Sequence, residues 1–139
     1  MAEEYKILVI DDDPEIHEIL KLLIDFWGFR TYSAMDAYEG IAASIRHNPL
    51  IIFLDIDMPS IDGEKTLKLL RTIDITKKTP VLIVSGMINK ERILRLNKLG
   101  ASGFVSKPFS HEMLLERFLD FIPDDIIEKL KLKNKMKKW

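Results

Sequence analysis

The sequence predicts an α/β fold: a doubly wound, five-stranded parallel sheet with five helices. Apolar runs too continuous for a one-sided strand occur at residues 7–10, 51–54 and 81–84, as expected of strands covered on both faces. Segments with helical spacing and recognisable caps alternate with them, the pattern of βα units. The length of 139 residues suits one compact domain.

Taken in order, Lys6 to Ile10 reads as the first strand, ended by Asp11-Asp12-Asp13. Asp13-Pro14 then supplies an N-cap and a first-turn proline. Ile16, Ile19, Leu20, Leu23 and Trp27 give the first helix an inward stripe, and Gly28 stops it. Phe29 to Ser33 forms a short second strand. Asp36 and Glu39 have capping-box spacing, so a second helix begins there with Ile41, Ala42 and Ile45 inward, and Asn48-Pro49 ends it. The run at 51–54 is the third strand and leads into Asp55. Gly63 opens a third helix with Leu67, Leu70 and Ile73 inward, and Thr79-Pro80 leads into the fourth strand, broken at Ser85-Gly86. Asn89 caps a fourth helix bearing Ile93, Leu96 and Leu99, with Gly100 at its end. Gly103 to Ser106 is the last strand, and Ser110 caps a fifth helix with Leu114, Leu115, Phe118, Leu119 and Ile122. Right-handed crossovers leave the doubly wound arrangement as the simplest topology.

Composition sets further bounds. A net charge of −1 argues against a domain built wholly for nucleic acid. With no cysteine, disulfides, thiolate catalysis and cysteine-ligated zinc are excluded. The acidic start MAEEYKILVI is unlike a secretory signal. No apolar stretch approaches the roughly 20 residues that span a bilayer, so a cytoplasmic globular protein is expected.

The functional expectation comes from where polar residues interrupt the strands. In open parallel sheets, ligands bind at the carboxyl ends of the strands near the point where strand order reverses. Asp11 and Asp12 follow strand one, Asp55 ends strand three, Ser85 follows strand four and Lys107 follows strand five. Asp55 by itself would fit a residue that merely opens a loop; five such groups at one edge point to a site. Three close carboxylates repel one another and raise at least one pKa. Lys107 offsets one charge, and a divalent cation would neutralise the other two. Oxygen ligands favour Mg²⁺, with Mn²⁺ tolerated. Asp55 would then keep an oxygen free as a nucleophile toward phosphorus, while the cation, Lys107 and the Ser85 hydroxyl hold the phosphoryl oxygens.

At these residues the chain resembles a known family. Asp11-Asp12, Asp55 with Met58-Pro59 and Asp62-Gly63, Ser85-Gly86, and Lys107-Pro108-Phe109 are similar to the motifs of response regulator receiver domains. The resemblance covers residues 5 to 122 and implies the flavodoxin-like receiver fold of the chemotaxis receiver, with strand order 2-1-3-4-5. It implies that Asp55 accepts a phosphoryl group from a sensor histidine kinase or phosphotransfer protein. Asp12, Asp55 and the Asp57 backbone carbonyl would bind Mg²⁺ directly, and Asp11 through water. Ser85 and Phe104 match the two switch positions and would relay the change to the face of the fourth helix, fifth strand and fifth helix. A homodimer through that face is a further association it leaves open. Ser85 stands where Thr is frequent, and Phe104 where Tyr is frequent. Such a domain is a regulatory phospho-acceptor that acts on itself and not an enzyme with external substrates.

Other features read more plainly. His17, His47 and His111 lack ligand spacing and suit surface or rim roles. Asp57 and Met87 occupy positions where family members tune phosphoryl lifetime, although loop solvation also accounts for them. Lys65, Lys68 and Arg71 form a charged helical face of the kind that solvates. Residues 1–122 are expected to form the receiver domain and 123–139 a basic tail or linker stub, with a solvated, frayed end as its plainest form; Ile126, Ile127 and Leu130 could also form one apolar stripe of a short helix, and the lysines a basic patch for a partner. No DNA-binding motif is present in this chain. Asp55-Ile56-Asp57 also resembles the nucleophile motif of haloacid-dehalogenase-type phosphatases, but there the nucleophile strand comes first and the acidic pair last. A docking module without phosphorylation fits less well with a complete acid, hydroxyl and lysine set.

Overall fold

The computed structural model describes residues 4–58 and 63–136. Strands β1 (Lys6–Ile10), β2 (Arg30–Ala34), β3 (Ile51–Asp55), β4 (Val81–Ser85) and β5 (Gly103–Ser106) form one sheet in the order β2-β1-β3-β4-β5. Every pairing is parallel. Helices α1 (Pro14–Phe26), α2 (Ala37–His47), α3 (Gly63–Thr72), α4 (Lys90–Lys98) and α5 (His111–Leu119) are those expected; α6 (Asp124–Lys129) and α7 (Leu132–Met136) are additional. None of the described helices is long and apolar enough to cross a membrane.

Because strand side chains alternate, each continuous apolar run feeds two cores. Ile7, Val9, Ile51, Phe53, Leu82 and Val84 pack with α1 and α5. Leu8, Ile10, Ile52, Leu54, Val81 and Ile83 pack on the other face with residues of α2, α3 and α4. The predicted caps are in place: Asp13, Asp36, Asn89 and Ser110 accept backbone N–H groups from Glu15, Glu39, Arg92 and Met113. Gly28, at φ 97°, ends α1 in the left-handed region that glycine enters without a Cβ penalty.

Four expectations are corrected. On α1, Ile19 is 44% exposed, and the buried stripe comprises His17, Leu20, Leu23 and Ile24 followed by Trp27. On α2 the inward residues are Ala37, Gly40 and Ser44, while Ala42 and Ile45 face outward. The reason is close approach: a Cβ at Gly40 would lie 2.5 Å from Ile10 Cδ1, so only small residues fit between helix and sheet. Arg71 is not a solvated charge. Its guanidinium donates to the carbonyls of Gly100 (2.8 and 2.9 Å), Thr79 (2.8 Å) and Thr76 (3.1 Å), tying the end of α3 to the loops before β4 and β5.

Finally, residues 123–136 are not a frayed end. Lys131, at φ 55°, turns the chain between α6 and α7, and Ile126 and Leu132 join the core on the α1/α5 side. Leu130 and Ile127 cover its rim.

Candidate functional site

The parallel sheet brings the predicted residues to one edge. Asp11 follows β1, Asp55 closes β3, Ser85 closes β4 and Lys107 follows β5. Register carries this across the sheet: Asp55 lies opposite Val84, and Ser85 opposite Ser106. Lys107 N–H donates to the Ser85 carbonyl at 2.8 Å, which prolongs the ladder into the site. Lys107 Nζ then donates to Asp11 Oδ2 at 3.0 Å and lies 3.7 Å from Asp55 Oδ2. One carboxylate oxygen from each of Asp11, Asp12 and Asp55 lies within 4.8 Å of the other two.

Local hydrogen bonds orient these acids. Asp11 Oδ1 accepts Asp13 N–H and Asp55 Oδ1 accepts Asp57 N–H, both at 2.9 Å. The second oxygen of each therefore faces Lys107. Asp55 is only 4% exposed. Burial pushes its carboxyl up, and the Asp11 charge adds to this; the Asp57 N–H and Lys107 oppose it, leaving a value of about 6. Burial pulls Lys107 down, but its bond to Asp11 and the charges of Asp55 and Asp11 outweigh that and raise it. This pattern suits a divalent cation: a clustered, all-oxygen set with more negative charge than one ammonium balances.

The Ser85 hydroxyl, expected to face the acceptor, is directed elsewhere. It donates to Asp57 Oδ2 at 2.6 Å and accepts from Met87 N–H at 3.1 Å. Arg92, on the first turn of α4, donates to Asp57 Oδ1 at 2.6 Å and to the Met87 carbonyl at 3.0 Å. Burial pushes the Asp57 carboxyl up, yet the bonds from Ser85 and Arg92 hold it below the usual range. Asp57 is thus bound by side chains from two other elements and is more than a solvated loop residue. Phe104 is half-buried against the core on the α4 side of the sheet. Met58 is buried, whereas Pro59 and Asp62 lie outside the described residues.

Sequence reasoning missed two residues. Arg92 lies 35 positions from its partner Asp57; Asn89 as a cap marks the first turn of α4, but no sequence signal sets which way Arg92 points. His17, expected at the surface or a rim, is 8% exposed and so is not a surface residue. Its Nε2 lies 2.6 Å from the Asp11 carbonyl, which can only accept, so Nε2 carries the proton. His17 Nδ1 is buried without a partner among the described residues. His47 stacks on Tyr32 with ring centroids 3.7 Å apart.

This edge of the sheet, with clustered acids, a lysine and a buried hydroxyl, is that of a phospho-signalling receiver. Residues 7–119 match the family model of the response regulator receiver domain, and the chain belongs to that family. It is 32% identical over 125 residues to Protein PilG of Pseudomonas aeruginosa, covering 88% of this chain and 90% of that protein. It is 33% identical over 112 residues to the cell cycle response regulator CtrA of Brucella abortus, covering 81% of this chain. The match spans 47% of CtrA and 46% of the DNA-binding regulator RpaA of Synechocystis, so this chain spans about half the length of such relatives. Among solved structures, the chemotaxis protein CheY4 of Vibrio cholerae superposes with a TM-score of 0.82 at 26% identity, covering 86% of this chain and all of that one.

Proposed function

We propose that Asp55 is the phospho-acceptor of a signalling switch, supplied by a sensor histidine kinase or phosphotransfer protein in the cytoplasm. The observation that carries this reading is the meeting of Asp11, Asp12, Asp55 and Lys107, from three different strand ends, around one buried carboxylate. An Asp55 oxygen attacks phosphorus, a P–O bond forms, and the P–N bond to the donor imidazole breaks, its electron pair leaving with the ring. Lys107 holds a phosphoryl oxygen as charge develops, and Asp57 N–H keeps the Asp55 carboxylate aimed. Asp12, Asp55 and the Asp57 backbone carbonyl would hold Mg²⁺ (or Mn²⁺), with Asp11 acting through water; bound there, the ion neutralises the acids and the phosphoryl oxygens. The chain modifies only itself, so it serves as a regulatory element and not as an enzyme with turnover.

Readout runs through Ser85 and Phe104. Ser85 moves to a phosphoryl oxygen, and Phe104 fills the space vacated, which remodels the face of α4, β5 and α5. Moving a population from 1:99 to 99:1 takes about 5.5 kcal/mol. Charge-assisted hydrogen bonds contribute about 1.5–3 kcal/mol each, so two or three are sufficient. That face is also where a second copy or a downstream protein would dock. We take residues 1–122 as the receiver domain and 123–139 as its appended segment, whether terminal or leading to an output domain.

Incubation with Mg²⁺ and acetyl phosphate tests the acceptor. Intact-mass measurement is expected to show one labile phosphoryl adduct, absent in Asp55→Asn; an adduct that persists in that variant would sink the assignment. For the relay, Phe104→Ala is expected to phosphorylate normally but to weaken the phosphorylation-dependent association, read by sedimentation or partner titration. Unchanged association would separate Phe104 from the switch.

A further inference from the structure

We propose that Arg92 is a positioning residue which, with Asp57, clasps the Ser85 hydroxyl in a resting pose, and that the clasp must open before Ser85 can bind a phosphoryl oxygen. The inference rests on Asp55 being the acceptor. A serine hydroxyl has one proton to give. Here it goes to Asp57 Oδ2 at 2.6 Å, so while that bond lasts it is withheld from any group on Asp55. Asp57 can serve as this acceptor because its other oxygen is pinned by Arg92 at 2.6 Å. The same guanidinium holds the Met87 carbonyl at 3.0 Å, and Met87 N–H holds the Ser85 oxygen at 3.1 Å. One side chain therefore joins the loop after β3, the loop after β4 and the first turn of α4. Arginine suits this because its planar fork serves two acceptors at fixed angles, which an ammonium on a flexible stem does not.

Arg92 is itself well placed. Its N–H is fixed by the Asn89 cap at 2.8 Å, and its side chain is 21% exposed. The only fully buried residue of α4 is Leu96, so the clasp ties down a first turn that has no fully buried side chain of its own. On activation the Ser85 O–H turns its hydrogen bond from Asp57 to a phosphoryl oxygen, and Asp57 stays with Arg92. In the wild type, the new bond is offset by the loss of the old one.

That offset is measurable as a coupling. The probe is beryllofluoride with Mg²⁺, a phosphoryl mimic, with affinity read by calorimetry and the bound fluorides by ¹⁹F NMR. The loss of affinity caused by Ser85→Ala is measured in the wild-type, Arg92→Gln, Arg92→Lys and Asp57→Ala backgrounds. With the clasp removed, that loss is expected to grow by about threefold to tenfold, the range of one hydrogen bond no longer offset. Arg92→Lys, which keeps the charge but not the fork, falls between and covers the case in which a more drastic variant folds poorly. An equal loss in all backgrounds overturns the clasp while leaving Asp55 as acceptor. No Mg²⁺-dependent binding to the wild type, or binding retained in Asp55→Asn, overturns the acceptor reading and this inference with it.

Discussion

The two faces of the sheet are built differently. On the α1/α5 side, Phe118 packs against Trp27, Phe29 and Phe53 with ring centroids 4.9 to 6.1 Å apart, and α6 and α7 close the rim. Large interlocked rings have few alternative arrangements and resist displacement. On the other side the core is aliphatic; its aromatics, Phe104 and Tyr32, are only partly buried, and α4 inserts just Leu96 fully. On the function proposed above, the first face is a fixed anvil and the second the part that shifts. Receiver switching needs both: a frame that keeps the acids aligned, and a helix held by few enough contacts for a hydrogen bond or two to move it.

The contrast can be tested by weakening each side. The largest effect is expected from Phe118→Ala, which empties the centre of the aromatic cluster and should lower stability by about 3–5 kcal/mol in denaturant titration. A loss below about 1 kcal/mol would show that the anvil is no stiffer than its counterpart.

Next comes Asp55, at the edge where the faces meet. With chelator present, its folded-state value of about 6 lies above the usual 3.8, so the folded form binds the proton more tightly. The Asp55 contribution to wild-type stability is then fully present below about pH 4, is lost as pH rises to 6, and stays absent above it; a shift of about two units corresponds to about 3 kcal/mol. Asp55→Asn is expected to be more stable than wild type at pH 7.5 by up to that amount and to lose the advantage at pH 4. Mg²⁺ should narrow the gap at pH 7.5 by stabilising only the wild type. Equal stabilities across this range would mean that the carboxylate is not strained by its surroundings.

The smallest global effect is expected from Leu96→Ala, about 2 kcal/mol, the low end for an aliphatic truncation. Its signature is local: amide exchange should quicken in α4 while α1 and α5 remain protected. Uniform quickening would remove the distinction between the faces.

Much of this was legible in the sequence because it depends on short-range rules. Strands appear as apolar runs, and caps such as Asp13 and Asn89 declare themselves by residue type and position. The acidic and lysine set could be placed because parallel topology forces every strand to finish at the same edge. What stayed hidden depends on distances across the chain. The rotation of α2 follows from Gly40 meeting Ile10, a fit that no apolar count reveals. Arg71 and Arg92 look like surface charges because long polar side chains leave no mark on hydrophobic periodicity. The C-terminal segment is legible only in part: Ile126, Ile127 and Leu130 mark the stripe of a short helix, but lysines dominate the composition beyond it, and no sequence signal shows that a left-handed turn at Lys131 delivers Leu132 inward.

Trp27 gives this architecture an optical handle. The indole is fully enclosed at the far end of α1, about 20 Å along a 13-residue helix from the acidic edge. In a Trp139→Phe background its emission would monitor cohesion of the anvil alone, blue-shifted while the rings stay packed and blind to cation arrival. A single fluorophore could thus time the melting of one layer while the opposite layer is being switched.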